Sequence, residues 1–183
     1  MTHSIQRLLM LVMLLVFAAP ATVHAQADSD ATQADEPVRS ISDWNLPKRG
    51  EKLAIKGYDP VAYFPEGGGK ATKGKKSIIA AYDGVVYRFA SDANRRRFLA
   101  NPSRYEPAYG GWCSWAMRDG DQVKINPKSF IVKDDRLFLF YDGLLGNTRK
   151  EWRGVDHDDA ADLADRMWER MSGETSRAVP VDG

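Results

Sequence analysis

The hydrophobic pattern is clearest in the middle of the chain, where two pairs of short apolar runs each enclose a polar dipeptide. Residues 77–82 and 85–90 enclose Asp83-Gly84. Because an Asp-Gly pair adopts the positive φ angles of a tight turn at little cost, this arrangement predicts a β-hairpin. A second hairpin is predicted over residues 130–141, where two β-rich runs again flank a pair of acidic residues.

Helical signals lie between the hairpins. Ser91 is a suitable N-cap for a helix over residues 92–100, and the pattern predicts Phe98 and Leu99 as its buried residues. A shorter helical stretch is predicted over residues 112–117. These helices fill the interval that separates the two hairpins.

The most regular hydrophobic periodicity lies near the C-terminal end of the chain. Residues 156–171 place apolar side chains at helical i, i+3, i+4 spacing, namely Ala160, Leu163, Ala164, Met167, Trp168 and Met171. Residues 53–55 are a candidate for one further strand. The order predicts one small α+β domain, with two antiparallel hairpins packed with short helices and a C-terminal amphipathic helix.

The N-terminal pattern differs from the rest. Arg7 precedes an uncharged apolar run over residues 8–19, and Val23-His24-Ala25 follows as a cleavage signal. This arrangement is typical of a secretory signal peptide over residues 1–25. Since a membrane-spanning helix needs about 20 apolar residues, the run is too short for an anchor. The chain is therefore predicted to act in the periplasm or outside the cell, without a membrane span after cleavage.

Composition sets the predicted limits of the domain. Residues 26–41 are rich in small and polar residues and lack aromatic ones, which predicts a disordered tether. The compact domain is predicted over residues 42–171, and residues 172–183 are predicted to form a flexible tail. About 130 residues is an ordinary length for one domain.

Cleavage of the predicted signal peptide changes which charged and reactive side chains the mature chain contains. Removing Arg7 leaves 25 basic residues against 25 acidic ones, so the mature chain has no general attraction to nucleic acid or anionic lipid. His157 and Cys113 remain as the only imidazole and the only thiol. One cysteine cannot form an internal disulfide, and one chain cannot supply the four Cys/His ligands of a structural zinc site. No cofactor and no nucleic-acid partner is therefore expected.

Several short motifs spread over residues 53–153 belong to one pattern. They are Asp59-Pro60-Val61 within residues 57–64, residues 87–91, Phe98, Asn101-Pro102, Tyr105, residues 109–113, and the hairpin over residues 130–141. Together they resemble YHS domains, in the exported, stand-alone branch of that family. The resemblance implies a metal-associated module of the kind found in copper-transporting ATPases and some monooxygenases. The cysteines of those members are replaced here by Ala62, Ala90 and Asn94, so that metal site is not implied for this chain.

Cys113 is the most distinctive reactive group. It follows Gly110-Gly111 in a predicted helical turn, and Met117 lies on the same helix face. Cys and Met together suit Cu(I), which is a soft ion, and a lone thiol also suits redox sensing. A free cysteine beside tryptophans more often packs as a small hydrophobic residue. Packing is favoured here, and the copper and redox alternatives stay open.

The predicted function is an exported YHS-like binding module without catalytic machinery of its own. Nothing in the sequence fixes a nucleophile beside a base, because Cys113 and His157 are far apart in the chain. The partner is expected to be a small ligand or a protein. The candidate ligand-binding residues are Asp59, Tyr63, Tyr109, Gly110, Gly111, Trp112 and Cys113. The alternative function is copper handling or thiol redox sensing through Cys113 and Met117.

Overall fold

Antiparallel hairpins provide the sheet structure of the protein, as a computed structural model describes it over residues 39–175. Strand β1 (Lys75–Tyr82) pairs with β2 (Val85–Phe89), and β3 (Asn126–Lys133) pairs with β4 (Arg136–Phe140). A third, very short hairpin joins β5 (Asp142–Gly143) to β6 (Gly146–Asn147). With the helices described next, these hairpins confirm the predicted α+β fold.

Five α-helices and five single 3₁₀ turns complete the described part of the chain. The helices are α1 (Asp92–Ala100), α2 (Pro102–Tyr105), α3 (Ser114–Met117), α4 (Thr148–Arg153) and α5 (His157–Ser172). The 3₁₀ turns are Ile41–Asp43, Ala54–Gly57, Val61–Tyr63, Pro65–Gly67 and Ala108–Gly111. No helix among these described residues has the length and apolar character that crossing a bilayer requires.

Both predicted hairpin turns are confirmed, and their backbone explains the residues found there. Asp83 and Gly84 have φ angles of 45° and 77°, and Asp134 and Asp135 have φ angles of 50° and 54°. Paired positive φ angles give a tight turn the twist that the flanking strands need, and Asp and Gly tolerate them. Register in each hairpin is therefore set locally.

Strand β4 lies at the centre of the core. Its residues Leu137, Phe138, Leu139 and Phe140 are all buried, so both faces of the strand are covered. Phe138 and Phe140 contact the ring of Trp152 on α4, with centroids 5.6 and 5.5 Å away. A strand that is buried on both faces needs apolar residues at consecutive positions, and the sequence of β4 has them.

Helix α1 matches its prediction except at one residue. The Ser91 side chain accepts a hydrogen bond from the backbone N–H of Asn94, as an N-cap does. Phe98 is buried against Tyr87 and Phe89. The prediction that Leu99 is buried is wrong, because the side chain is 49% exposed. One position on a helix turns the side chain by about 100°, so Phe98 and Leu99 face different surroundings.

Helix α5 is confirmed, but its buried face is shifted relative to the prediction. Ala160, Ala164 and Trp168 are buried as expected, whereas Leu163 and Met171 are exposed. Ala161, which the periodicity did not select, is buried instead. Small alanines let the helix lie close to the core, and this close approach decides which face is covered.

The predicted strand over residues 53–55 is wrong. Leu53 forms only an isolated bridge with Val86, and the chain then turns through Ala54–Gly57. Ile55 and Lys56 take positive φ angles of 47° and 52°, which break any extended run. Left-handed conformations are costly for a β-branched residue, and the burial of Ile55 offsets that cost.

Both ends of the described chain contact the core, so the domain extends beyond the predicted limits of 42–171. The Arg39 guanidinium donates two hydrogen bonds to the Glu106 carboxylate, at 2.8 and 3.0 Å. The Trp44 indole N–H donates to Glu174 at 2.9 Å. The predicted signal peptide, the tether as far as residue 38, and the tail from residue 176 lie outside the described residues.

Candidate functional site

Cys113 is a core residue in this structure. It is the N-cap of α3 rather than part of a helix over 112–117, and its side chain is 0% exposed. The sulfur lies 3.2 Å from the hydroxyl oxygen of Thr148 and accepts a hydrogen bond from the Tyr141 backbone N–H at 3.4 Å. Met117 is also 0% exposed. Both sulfur-containing side chains are therefore buried, and the contacts of the Cys113 sulfur are those of a packed side chain.

This burial predicts an unreactive thiol. In the native protein Cys113 should react with a thiol reagent about a thousandfold more slowly than in the unfolded chain, or slower still. The reason is that access requires an opening that costs at least about 4 kcal/mol. Ellman's reagent, with and without guanidinium, measures the ratio.

A parallel titration with Cu(I) under reducing conditions should show no sub-micromolar binding. Fast native labelling, or tight Cu(I) binding that Cys113→Ala and Met117→Ala abolish, would restore the copper and redox alternatives.

Asp59 is fully buried, and its carboxylate holds three segments together. One oxygen accepts from the backbone N–H groups of Val61 and Ala62, at 2.9 and 3.2 Å. The other accepts from the Ala90 N–H at 2.8 Å and from the Asn94 side chain at 2.7 Å. Four donors use most of the capacity of a carboxylate. Asp59 is therefore a structural anchor and not a residue that meets a ligand.

The Tyr109–Gly111 segment is a packing device. Tyr109, Gly110 and Gly111 have φ angles of 56°, 57° and 83°, so the chain turns sharply at three successive residues. A Cβ added to Gly110 would lie 2.9 Å from atoms of Trp44 and Trp168. The glycine thus permits a close approach of two tryptophans. The segment is buried and offers a ligand no access.

The remaining candidate residues are also engaged internally. The hydroxyl of Tyr63 donates to the Pro127 carbonyl at 2.9 Å, and burial raises the pKa of Tyr63 far above its ordinary value. The Tyr109 hydroxyl donates to Asp165, and burial likewise raises the pKa of Tyr109. The half-buried Trp112 donates its indole N–H to the Asp43 carbonyl at 2.6 Å. None of these groups points a free polar atom at solvent.

An open cleft lies on the outer side of this region. It encloses about 290 Å³ and is lined by Lys56, Lys124, Ile125, Asn126, Pro127, Tyr141 and Asp142. Two residues that line the cleft are hydrogen-bonded to predicted site residues. The Tyr63 hydroxyl donates to the Pro127 carbonyl, and the Tyr141 backbone N–H donates to the Cys113 sulfur. The predicted residues Tyr63 and Cys113 do not line this cleft themselves but are hydrogen-bonded to residues that do.

The charged residues that line the cleft are Lys56, Lys124 and Asp142, which leaves an excess of one positive charge. The Lys56 ammonium donates one hydrogen bond to the Ile125 carbonyl at 2.7 Å, and Lys124 is exposed. Within the described residues, neither ammonium group forms an ion pair with a carboxylate. Lys56 stands on the left-handed turn described above, so the same backbone feature that ended the predicted strand places this charge. No local motif links Lys56 to Lys124, which explains why sequence reasoning missed them.

A second, smaller cleft surrounds His157. Its indole neighbour Trp152 donates a hydrogen bond to His157 Nδ1 at 2.8 Å, so in the neutral ring the proton sits on Nε2. Burial, with the nearby Lys133 charge, lowers the pKa of His157 and favours this neutral ring.

Asp134, His157 and Asp158 offer ligand atoms within 4.8 Å of one another. However, the Lys133 ammonium lies 2.7 Å from Asp158 and 3.4 Å from Asp134. The Lys133 ammonium offsets one of the two carboxylate charges and occupies the space between them, and Nε2 carries a proton instead of a free lone pair. The arrangement is a satisfied ion-pair cluster that does not fit a metal ion.

Comparison with known proteins adds no relative whose function could be considered for this chain. No protein-family model, no curated protein and no solved structure matches it. The resemblance to YHS domains noted in the sequence therefore stays a prediction. Function has to be inferred from the residues of the chain itself.

Proposed function

We propose that this protein is an exported, non-catalytic binding module on a YHS-like scaffold, and that it holds a small anionic ligand in the Lys56–Lys124 cleft. The observation that carries the proposal is that two lysine ammonium groups, free of ion pairs within the described residues, and a single carboxylate, that of Asp142, belong to the lining of one open cleft. A carboxylate or phosphate group is the chemistry that two such donors recognise.

The walls of the cleft support the same proposal. The half-buried Tyr141 contributes apolar surface next to the lysines, and the buried residues Ile125 and Pro127 lie behind it in the cleft wall. Ligand sites commonly combine apolar walls with a few polar groups that fix orientation. The volume of about 290 Å³ is at the lower end for such sites, which favours a ligand of modest size. A molecule with one anionic group and a short apolar body fits this description.

A binding role, as opposed to catalysis, is supported by how the reactive groups are used. The Cys113 sulfur contacts Thr148 and Tyr141, and the Asp59 carboxylate is saturated by four donors. His157 is held through Nδ1 by Trp152. Nucleophilic and acid–base catalysis both need such a group within reach of a substrate. Each of the three is instead committed to holding the fold.

The proposal predicts weak, salt-sensitive binding of simple anions. Exposed ion pairs contribute up to about 1 kcal/mol each, so a bare anion held by two of them should bind with a dissociation constant of about 30 mM. Inorganic phosphate and benzoate, titrated separately by calorimetry at low salt, are suitable probes. Benzoate should bind more tightly than acetate, because its ring adds apolar contact.

Matched variants test where these probes bind. Lys124→Met should weaken binding by up to about fivefold, which corresponds to the loss of about 1 kcal/mol. Lys56→Met should act in the same direction. Lys48→Met, an exposed lysine outside the cleft, should leave binding unchanged. Equal affinities in all three variants would contradict the assignment of the cleft.

A further inference from the structure

The hairpin formed by β5 and β6 carries the most exposed apolar residues of the described chain. Leu144 and Leu145 form its turn, and their relative exposures are 104% and 94%. Side chains this exposed contact almost nothing else in the protein. Tight turns are normally occupied by Gly, Asn, Asp, Pro or Ser, so a Leu-Leu turn is not explained by turn geometry.

The turn is held in place by the surrounding structure. Asp142 pairs with Asn147, and Gly143 pairs with Gly146. The Leu145 backbone N–H donates to the Tyr141 hydroxyl at 3.2 Å. Gly143 lies so close to the Tyr141 ring that an added Cβ would be 2.6 Å from the hydroxyl oxygen. The two leucines are thus presented outward by a fixed hairpin.

Basic side chains flank this hairpin. Tyr141 and Asp142, which lead into it, also line the cleft that holds Lys56 and Lys124. Arg149 and Lys150 follow β6 directly, in the first turn of α4. Within the described residues, these four basic side chains form no ion pair. Two exposed carboxylates lie among them, Asp142 on β5 and Glu151 on α4, so the four basic groups leave a local excess of positive charge.

We propose that the Leu144–Leu145 turn docks the protein on an anionic lipid bilayer. The two leucines enter the interfacial layer, and the flanking lysines and arginine face the lipid headgroups. Apolar insertion together with electrostatic attraction is the combination that holds peripheral proteins on anionic membranes. The inference goes beyond the proposed function, because the leucines lie outside the ligand cleft.

The size and shape of the apolar surface favour a bilayer over a protein partner. A stable protein interface buries about 800 Å² on each partner and needs a complementary surface. Two adjacent leucines on a protruding turn supply much less area. A fluid bilayer adapts to a protruding turn and requires no shape complementarity.

Vesicle co-sedimentation of the exported chain tests the proposal. Binding is expected to vesicles that contain phosphatidylglycerol and to be much weaker to pure phosphatidylcholine, and salt should reduce it. The Leu144→Asn/Leu145→Asn double variant should bind at least about tenfold more weakly, since burial of two leucines is lost. Leu99→Asn, which changes an exposed leucine on α1, is the matched control and should bind normally.

Several results would overturn the proposal. These are equal binding by the double variant, equal binding to both vesicle types, or no binding at all. Sedimentation equilibrium without lipid tests whether the chain self-associates. If it does, and the double variant does not, the turn mediates contacts between copies of the chain and the membrane proposal is wrong. Phosphate binding should survive in the double variant, so failure of docking and failure of the cleft assignment are distinguishable.

Discussion

Replacement of Asp59 with alanine should lower the free energy of unfolding by about 4 kcal/mol. The carboxylate is 0% exposed and accepts from three backbone N–H groups and one side-chain amide. Each buried donor left without a partner costs about 1–3 kcal/mol. The Asn94 amide can turn toward another acceptor, but the backbone donors cannot. The total stability of a domain is only about 5–15 kcal/mol, so this is a severe loss.

The conservative variant Asp59→Asn sharpens this test. Asparagine keeps the size but places an NH₂ group against donors that need an acceptor, so about 3 kcal/mol should still be lost. Denaturant unfolding followed by tryptophan fluorescence measures both variants. Asp119→Ala changes an exposed aspartate and should stay within about 0.5 kcal/mol of the parent protein. If Asp59→Ala cost less than about 1 kcal/mol, the anchoring role would be refuted.

The second large effect is expected at Arg39, outside the domain limits that the sequence predicts. Its side chain is 6% exposed and pairs with Glu106, which is 0% exposed. The guanidinium also lies 4.6 Å from the centre of the Trp44 ring. Removal of one partner of a buried pair costs about 3–5 kcal/mol, because the other charge stays buried. Arg39→Met should therefore lower the free energy of unfolding by about 3 kcal/mol.

A double-mutant cycle separates this pair from general loss of packing. Arg39→Met, Glu106→Gln and the double variant should show a coupling energy of at least about 1 kcal/mol, because the two side chains interact directly. Arg95→Met breaks an exposed pair with Asp92 and serves as the control, with an expected change within about 0.5 kcal/mol. Additive effects of the two core changes would contradict direct coupling of Arg39 and Glu106.

The elements that sequence patterns predicted correctly are those whose determinants are local. An Asp-Gly dipeptide between two β-rich runs determines its turn within a few residues, and Ser91 caps α1 through the adjacent backbone. The errors arise where distant segments decide. Ile55 takes a left-handed conformation that no local preference favours. Leu99 and Leu163 have apolar side chains on helix faces that the described segments leave partly exposed.

The candidate site shows the same limit. Composition singled out Cys113 and a short motif singled out Asp59, but whether such a group faces solvent or the core depends on packing that neither encodes. The cleft joins Lys56 to Lys124, two lysines from separate parts of the chain that carry no sequence signal. The sequence pattern placed Arg39 in the predicted tether, because its buried partner Glu106 is 67 residues away in the chain.

Ligands are proposed to bind in the Lys56–Lys124 cleft and not at the buried Cys113 region. Titration of ¹⁵N-labelled protein with inorganic phosphate, followed by amide chemical shifts, distinguishes the two locations. The largest shifts are expected at Lys56, Lys124, Ile125 and Asn126, with saturable dependence on phosphate, and these shifts should be lost in Lys124→Met. Shifts centred on the His157 cleft, or equal shifts in Lys124→Met, would contradict this assignment.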